Sequence, residues 1–311
     1  MSSPSAPPAA AGVPRHWWRE LLLLALIYAA YDGSRLLVAG SLPRALRNGH
    51  ALLSAEARLR LSPEHLLNTA FTRHAWLAVP ADFAYASLHY LVTPLVLAWL
   101  WHRHRGRYRH ARTWLGVSTV LGLAGFTLLP TAPPRLLEAS YGFTDSMRQH
   151  AAVGWWGADA SAPKGLGHLT NEFAAMPSLH VGWALWCGVL VWRCADRTAV
   201  RIAGLLYPVL IAVVVMGTAN HYLLDAVAGC AVMGAGALLA GPALRLADRL
   251  RRGAGAGGRG AAAAAGPAPA PAAFVPAPAR PGDGAARPRG GAAPGAGADA
   301  PPASRPPVPA R

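Results

Sequence analysis

The sequence predicts an all-α, polytopic membrane protein: a six-transmembrane-helix bundle with a short interfacial helix and a disordered C-terminal tail. Three observations carry this expectation. Of the 311 residues, 53% are hydrophobic and only 14% charged, whereas a soluble domain carries about 25% charged residues. The apolar residues gather in runs near the roughly 20 residues that cross a bilayer as a helix. The arginines sit mainly in the segments between those runs and in the tail, which a membrane topology explains.

Residues 1–14 are rich in Ser, Pro and Ala and are expected to be disordered. The first apolar run covers about residues 17–39. It is longer than a signal-peptide core and ends in no small-residue cleavage site, so it reads as a retained span. Asp32 and Arg35 within it share one helix face. They read either as an ion pair near the helix end or as a wall of a polar site.

Residues 40–83 are less apolar. From Ala45 to Leu61 apolar and charged residues alternate at helical spacing, as in an amphipathic helix lying at the interface. Pro63 and Pro80 punctuate the stretch. Further apolar runs at about 84–102, 113–130, 176–193, 199–218 and 221–243 complete six candidate spans.

Arginine placement fits that count. Arg15 and Arg19 precede the first run, and Arg103, Arg105, Arg107, Arg109 and Arg112 separate the second from the third. Arg193, Arg197 and Arg201 separate the fourth from the fifth, and Arg245, Arg249, Arg251 and Arg252 follow the sixth. With six spans all of these share one side, which the positive-inside rule makes cytoplasmic, together with both termini. The expected organisation is a disordered segment 1–14, a membrane domain 15–250, and an Ala/Gly/Pro/Arg-rich disordered tail 251–311.

The formal net charge of +15 is therefore read as topology and tail, and no nucleic-acid partner is expected. Cys187, Cys194 and Cys230 lie in or beside apolar runs and form no CxxC pair, which argues against a disulfide framework or a zinc site.

Unusual polar residues collect at the ends of the third, fourth and sixth runs that the six-span count places on the outer face. The sixth opens with NHYLLDAVAG, where His221 and Asp225 stand four apart, about 40° from each other on a helix. A carboxylate at that spacing can accept the proton of one imidazole nitrogen and leave the other a better nucleophile. The fourth opens with AAMPSLHVGW: Pro177 suits a first helical turn, the helix start favours an anion, Ser178 adds a hydroxyl and His180 lies one turn in. The third closes with LLPTAPPRLL, in which a stiff turn carries the Arg135 guanidinium, suited to bidentate phosphate binding. Two histidines, a carboxylate, an arginine and a helix start at one membrane face fit phosphoryl transfer through a phosphohistidine.

In these residues the chain resembles the type-2 phosphatidic acid phosphatase superfamily, and most the branch that includes inositol phosphorylceramide synthases and inositol phosphotransferases. The matching pieces are APPR at 132–135, AAMPSLHVGWA at 174–184 and GTANHYLLDAVAG at 217–229, within a similarity over about 17–245. The resemblance implies catalytic roles for His221 as nucleophile, Asp225 as its orienting partner and His180 as acid to the leaving alcohol. It implies that Arg135 and Ser178 bind the substrate phosphate, that no cofactor or metal is needed, and that the enzyme sits in the cell membrane with its site facing outward. The partners implied are a lipid phosphate substrate (a phospholipid or a polyprenyl phosphate) and membrane lipids.

The phosphatases of the superfamily carry PSGH where this chain has Leu179, and an arginine where it has Val215; the lysine they place before an Arg-Pro pair has no counterpart beside Pro134 and Arg135. Fewer cations favour a phosphodiester or head-group transfer over a phosphomonoester.

His89 and Asn220 are secondary candidates. His89 shares a helix face with Tyr85, and a Tyr–His hydrogen bond explains it as well as a functional role does. Asp145, Asn171, Trp155 and Trp156 lie in the loop between the third and fourth runs, the tryptophans as interface anchors. Rival readings are a metal-dependent hydrolase built on His180, His221 and Asp225, a small transporter or proton relay without enzymatic activity, and an inactive scaffold. Arg135 and the position of the polar groups at span ends favour the phosphotransferase reading.

Overall fold

The computed structural model describes residues 42–157, 160–163 and 172–264, together with Trp18, Leu22 and Ala25. The segment 1–14, Asp32 and Arg35 of the first apolar run, Asn171 and the tail beyond residue 264 lie outside the described residues. The described residues up to Arg259 belong to one compact unit; from Gly260 on only the end of a helix is described.

Among the described residues there are eight α-helices: α1 Leu42–Leu59, α2 Pro63–Arg73, α3 Ala75–Arg103, α4 Arg105–Leu128, α5 Ser146–Gln149, α6 Leu179–Cys194, α7 Thr198–Gly217 and α8 Leu223–Ala264. A two-stranded antiparallel ribbon, β1 Trp156–Gly157 with β2 Ala160–Pro163, lies in the long α4–α6 connection. The last helix runs past residue 250 and into the segment read as tail.

The expectation of six spanning helices is not met. Three helices among the described residues are long and apolar enough to cross a membrane: α3, α7 and residues Leu223–Arg252 of α8. The run at 113–130 lies in α4, which opens on Arg105, Arg107, Arg109 and Arg112 and whose apolar part is diluted by Ser118, Thr119, Thr127 and three glycines. The run at 176–193 becomes α6, whose 16 residues extend about 24 Å, short of the roughly 30 Å hydrocarbon layer. Ser178 stops it from starting earlier, because that residue is its N-cap. The molecule is a multi-pass membrane protein. On its spanning helices, Leu91 and Leu95 of α3, Leu205, Leu206, Val209 and Leu210 of α7, and Leu238 of α8 point outward. Each would cost about 1.5–3 kcal/mol to hold in water rather than in an apolar phase.

Large side chains fill the centre. Trp114 of α4 and Trp186 of α6 are buried with Leu100 of α3 and Met233 of α8. Neither indole wastes its N–H: Trp114 Nε1 donates to the Met233 carbonyl at 2.7 Å, and Trp186 Nε1 to the Ala111 carbonyl at 3.0 Å. An unpaired buried donor would cost about 1–3 kcal/mol. Small residues let the helices cross closely: a Cβ on Gly188 of α6 would lie 2.4 Å from the Gly204 carbonyl oxygen of α7.

The α4–α6 connection is fastened to α3. Ser146 Oγ and His150 Nδ1 reach the same oxygen of the buried Asp82, at 3.0 and 2.9 Å. Trp156 is fully buried and donates to the Met147 carbonyl, so it packs the loop rather than anchoring an interface; Trp155 is 40% exposed.

Candidate active site

Three chain segments far apart in sequence meet at the starts of α6 and α8. The first, residues 131–135, leaves α4 and pairs with the chain ahead of α6: Thr131 N donates to the Phe173 carbonyl and Ala175 N to the Thr131 carbonyl. The 3-10 turn Pro134–Leu136 follows. Tyr222, fully buried, pins this segment from the α8 side by donating its hydroxyl to the Ala132 carbonyl at 2.9 Å.

The α7–α8 turn carries the nucleophile candidate. Val215 closes it by accepting the backbone N–H groups of Asn220 and His221. Ala219 takes a left-handed conformation, φ 56°, a strain that an L residue adopts only when its surroundings hold it there. His221 therefore lies just ahead of α8, whereas the HxxxD spacing implied one continuous helix face. The helix begins at Leu223, and Asp225 Oδ2 reaches back to accept Tyr222 N–H at 2.9 Å. That is the acidic half of a capping box.

His221 is 3% exposed and its Nδ1 lies 2.8 Å from the Ala175 carbonyl oxygen. A carbonyl can only accept, so the proton belongs on Nδ1 and the lone pair on Nε2. The Asp225 carboxylate lies 3.4 Å from Nδ1, a contact that is an ion pair only when both ring nitrogens carry a proton. Orientation of the ring thus comes from a backbone carbonyl, while Asp225 supplies negative charge beside it.

His180 is half-buried in the first turn of α6. Its ring centroid is 5.6 Å from that of His221, and it stacks on Tyr85 of α3 at 4.4 Å. His89, one turn beyond Tyr85, packs edge-on against His180 at 4.5 Å. Ser178 is fully buried; its Oγ accepts Val181 N–H at 3.4 Å, and its own N–H donates to the Asp225 carbonyl at 2.9 Å.

Arg135 belongs to the same constellation. Its backbone N–H donates to the Ala219 carbonyl, and its Nε donates to Asn220 Oδ1 at 2.9 Å. Asn220 is in turn held by Thr218, to which its Nδ2 donates. The secondary candidate Asn220 is therefore the link between the arginine and the turn that carries His221. The guanidinium Nη1 stands 3.8 Å from carboxylate oxygens of both Asp145 and Glu172.

Every described site candidate thus falls in one neighbourhood. The model of one protein family, the PAP2 superfamily, matches residues 50–239, well over half of the chain. The chain belongs to the PAP2 superfamily. No curated protein and no solved structure matches it. The three motifs at 132–135, 174–184 and 217–229 all fall inside the stretch that matches the PAP2 model. Membership makes this a phosphatase-like enzyme of a superfamily that acts on lipid phosphates. Among the described residues no group of three or more His, Cys, Asp or Glu is arranged to hold a metal ion.

Four contributors escaped the sequence reading: the Ala175 carbonyl, Glu172, and the buried acids Glu56 of α1 and Glu64 of α2. A carbonyl leaves no mark in a sequence. Glu56 and Glu64 resemble ordinary solvated acids of amphipathic helices, yet both are fully buried. Val215, at the position where an arginine is usual in the phosphatases, is buried among Val181, Ala184 and Ile211 and contributes no charge.

Proposed function

We propose that this PAP2 protein is a phosphotransferase or phosphatase of lipid phosphates working through a phosphohistidine, with head-group transfer, such as that of inositol phosphate, as its favoured reaction. The observation that carries the reading is the Nδ1 contact of His221 to the Ala175 carbonyl at 2.8 Å, which leaves the Nε2 lone pair for attack on phosphorus.

His221 Nε2 forms the P–N bond as the P–O bond to the leaving alcohol breaks. His180, protonated beforehand, gives its proton to that leaving oxygen. In the second half, water or an acceptor hydroxyl passes a proton to His180 and attacks phosphorus, and the P–N bond returns its electron pair to His221. Asp225 favours the cationic imidazole of the intermediate. Arg135 and Ser178 donate to the non-bridging oxygens, and the Arg135 contact to Asn220 keeps the guanidinium beside the His221 turn.

Charge supports a diester over a monoester. Arg135 shares its surroundings with Asp145 and Glu172 at 3.8 Å. A singly charged phosphodiester meets less repulsion there than a dianionic phosphomonoester. The two acids also offer acceptors to a hydroxyl-rich head group. The active site faces outward in this reading, at the helix ends opposite the arginine-rich segments around residues 103–112 and 193–201.

The test is turnover in mixed micelles, with phosphatidic acid, a phosphodiester lipid plus a polyol acceptor, and a polyprenyl phosphate as donors. Free phosphate and transferred head group are measured separately, with and without chelator. Wild type should act with chelator present, and His221→Ala should be inactive. Full activity in His221→Ala sinks the site assignment; rapid phosphate release without any head-group transfer sinks the transferase reading.

A further inference from the structure

The start of α8 has an incomplete cap of its own. Tyr222 stands at the N-cap position, and its hydroxyl is committed to the Ala132 carbonyl. A helix start leaves its first backbone N–H groups without partners, and the N-cap side chain normally takes the one at the second or third position. Here that partner comes from another helix: Glu56 Oε1 of α1 accepts Leu224 N–H at 2.6 Å, across 168 residues of sequence.

Glu56 is fully buried, and so is Glu64 at the start of α2. The two carboxyl groups are close enough to perturb each other's proton affinity. Taken as two carboxylates, they would leave Glu56 Oε2 and both Glu64 oxygens buried without any donor. Two acceptors cannot bond unless a proton lies between them, and two like charges in contact do not both persist in a buried site.

We infer that Glu56 is a positioning residue for the His221–Asp225 pair, capping the helix start that carries Asp225 as one half of a buried acid pair that shares a proton with Glu64. The inference rests on the proposed role of His221. Other titratable groups around the pair are Asp225 and Tyr222 at the start of α8 and His65 of α2. Asp225 raises the proton affinity of both acids, as does burial. Burial is the larger cause and pushes Glu56 from its ordinary 4.5 up to about 8, with Glu64 raised as well.

The pair gives Asp225 a defined neighbourhood. With one shared proton the pair carries a single negative charge. Above about pH 8 it gains a second, aimed at the carboxylate beside His221. Linkage sets the sign: an acid whose folded value is raised contributes stability fully present below its unfolded value near 4.5 and lost as pH rises through about 8.

The experiment uses the full chain in detergent as wild type, Glu56→Gln, Glu56→Leu and His221→Ala. Glu56→Gln keeps an acceptor for Leu224 N–H and cannot ionise; its amide donates to an ionised Glu64, reproducing the singly charged pair. The thermal unfolding midpoint and kcat are followed from pH 5 to 9. Wild type should lose thermal stability toward pH 8 and lose kcat above it, and Glu56→Gln should flatten both. Glu56→Leu should lower kcat about tenfold or more across the range, the scale expected when a catalytic group is misplaced by a fraction of an ångström, with KM little changed. Glu56→Gln profiles that superimpose on wild type overturn the acid pair. A flattened stability profile with undiminished kcat in Glu56→Leu overturns the positioning role. If Glu56→Leu does not fold, the Glu56→Gln rate profile decides that role alone. An active His221→Ala beside a flattened Glu56→Gln stability profile would instead sink the proposed function and the positioning role with it, and leave the acid pair standing.

Discussion

Gly229 of α8 is where the two histidine-bearing helix starts are pressed together. A Cβ there would lie 2.2 Å from the Ser178 carbonyl oxygen. Ordinary contact begins near 3.4 Å, so Gly229→Ala demands that the backbone of α8 or α6 move by about 1 Å. The obstacle is backbone, so no side-chain rotation relieves it. Overpacking of this kind costs about 1–3 kcal/mol of stability. The functional cost is larger. Ser178 N–H is bonded to the Asp225 carbonyl at 2.9 Å, so the displacement falls between His180 on one side and His221 with Asp225 on the other. A misplacement of about 1 Å reduces turnover by about a hundredfold. Gly234, five residues along the same helix, has nothing within 4 Å of its added Cβ. Gly234→Ala should therefore be neutral, or stabilise the helix by about 0.5–1 kcal/mol. The assay pairs kcat on a micellar lipid phosphate with the unfolding midpoint in detergent. Equal kcat in the two alanine variants would refute the claim that contact at Gly229 sets the distance between the histidines.

Two further substitutions test the links between segments. Asn220→Ala removes the acceptor of Arg135 Nε and the amide bonded to Thr218, and hydrogen bonds to charged groups contribute about 1.5–3 kcal/mol; the unfolding midpoint should drop and kcat/KM should fall about 10- to 100-fold, and an unchanged kcat/KM would detach Arg135 from substrate binding. Tyr222→Phe strips the buried Ala132 carbonyl of its hydroxyl donor, so stability should fall by about 1–3 kcal/mol; a midpoint equal to wild type would mean that the 131–135 segment is held by its other contacts.

Much of the fold was legible because helix-forming apolar runs announce themselves, but the number of spans was not. Counting runs treats every stretch of about 20 apolar residues alike. It does not register that Ser178 caps α6 and confines it to 16 residues, or that Ser118, Thr119, Thr127 and three glycines dilute the apolar part of α4. Helix ends decide whether a run reaches across a bilayer, and helix ends are set by individual caps. The HxxxD spacing does bring its two residues together, with Asp225 Oδ2 3.4 Å from His221 Nδ1, but not on one continuous helix. It presumed a helix through His221, whereas the left-handed Ala219 and the carbonyl of Val215 turn the chain and delay α8 until Leu223.

Legibility at the site divides along another line. Side chains whose chemistry is rare in a membrane helix (His180, His221, Asp225, Arg135) stood out, and the fold brings them together. What escaped were the groups that orient them. His221 takes its tautomer from the carbonyl of an alanine, and α8 takes part of its cap from an acid 168 residues away. A backbone carbonyl is identical at every position, and a glutamate on an amphipathic helix looks the same whether it faces water or a neighbouring helix start. The physical distinction is burial. An acid fully enclosed beside another acid must hold a proton, and only the tertiary structure reveals that Glu56 is enclosed. The residues to which the proposal gives the chemistry are therefore the readable part of this site, while the groups packed around them become visible only once the helices are packed.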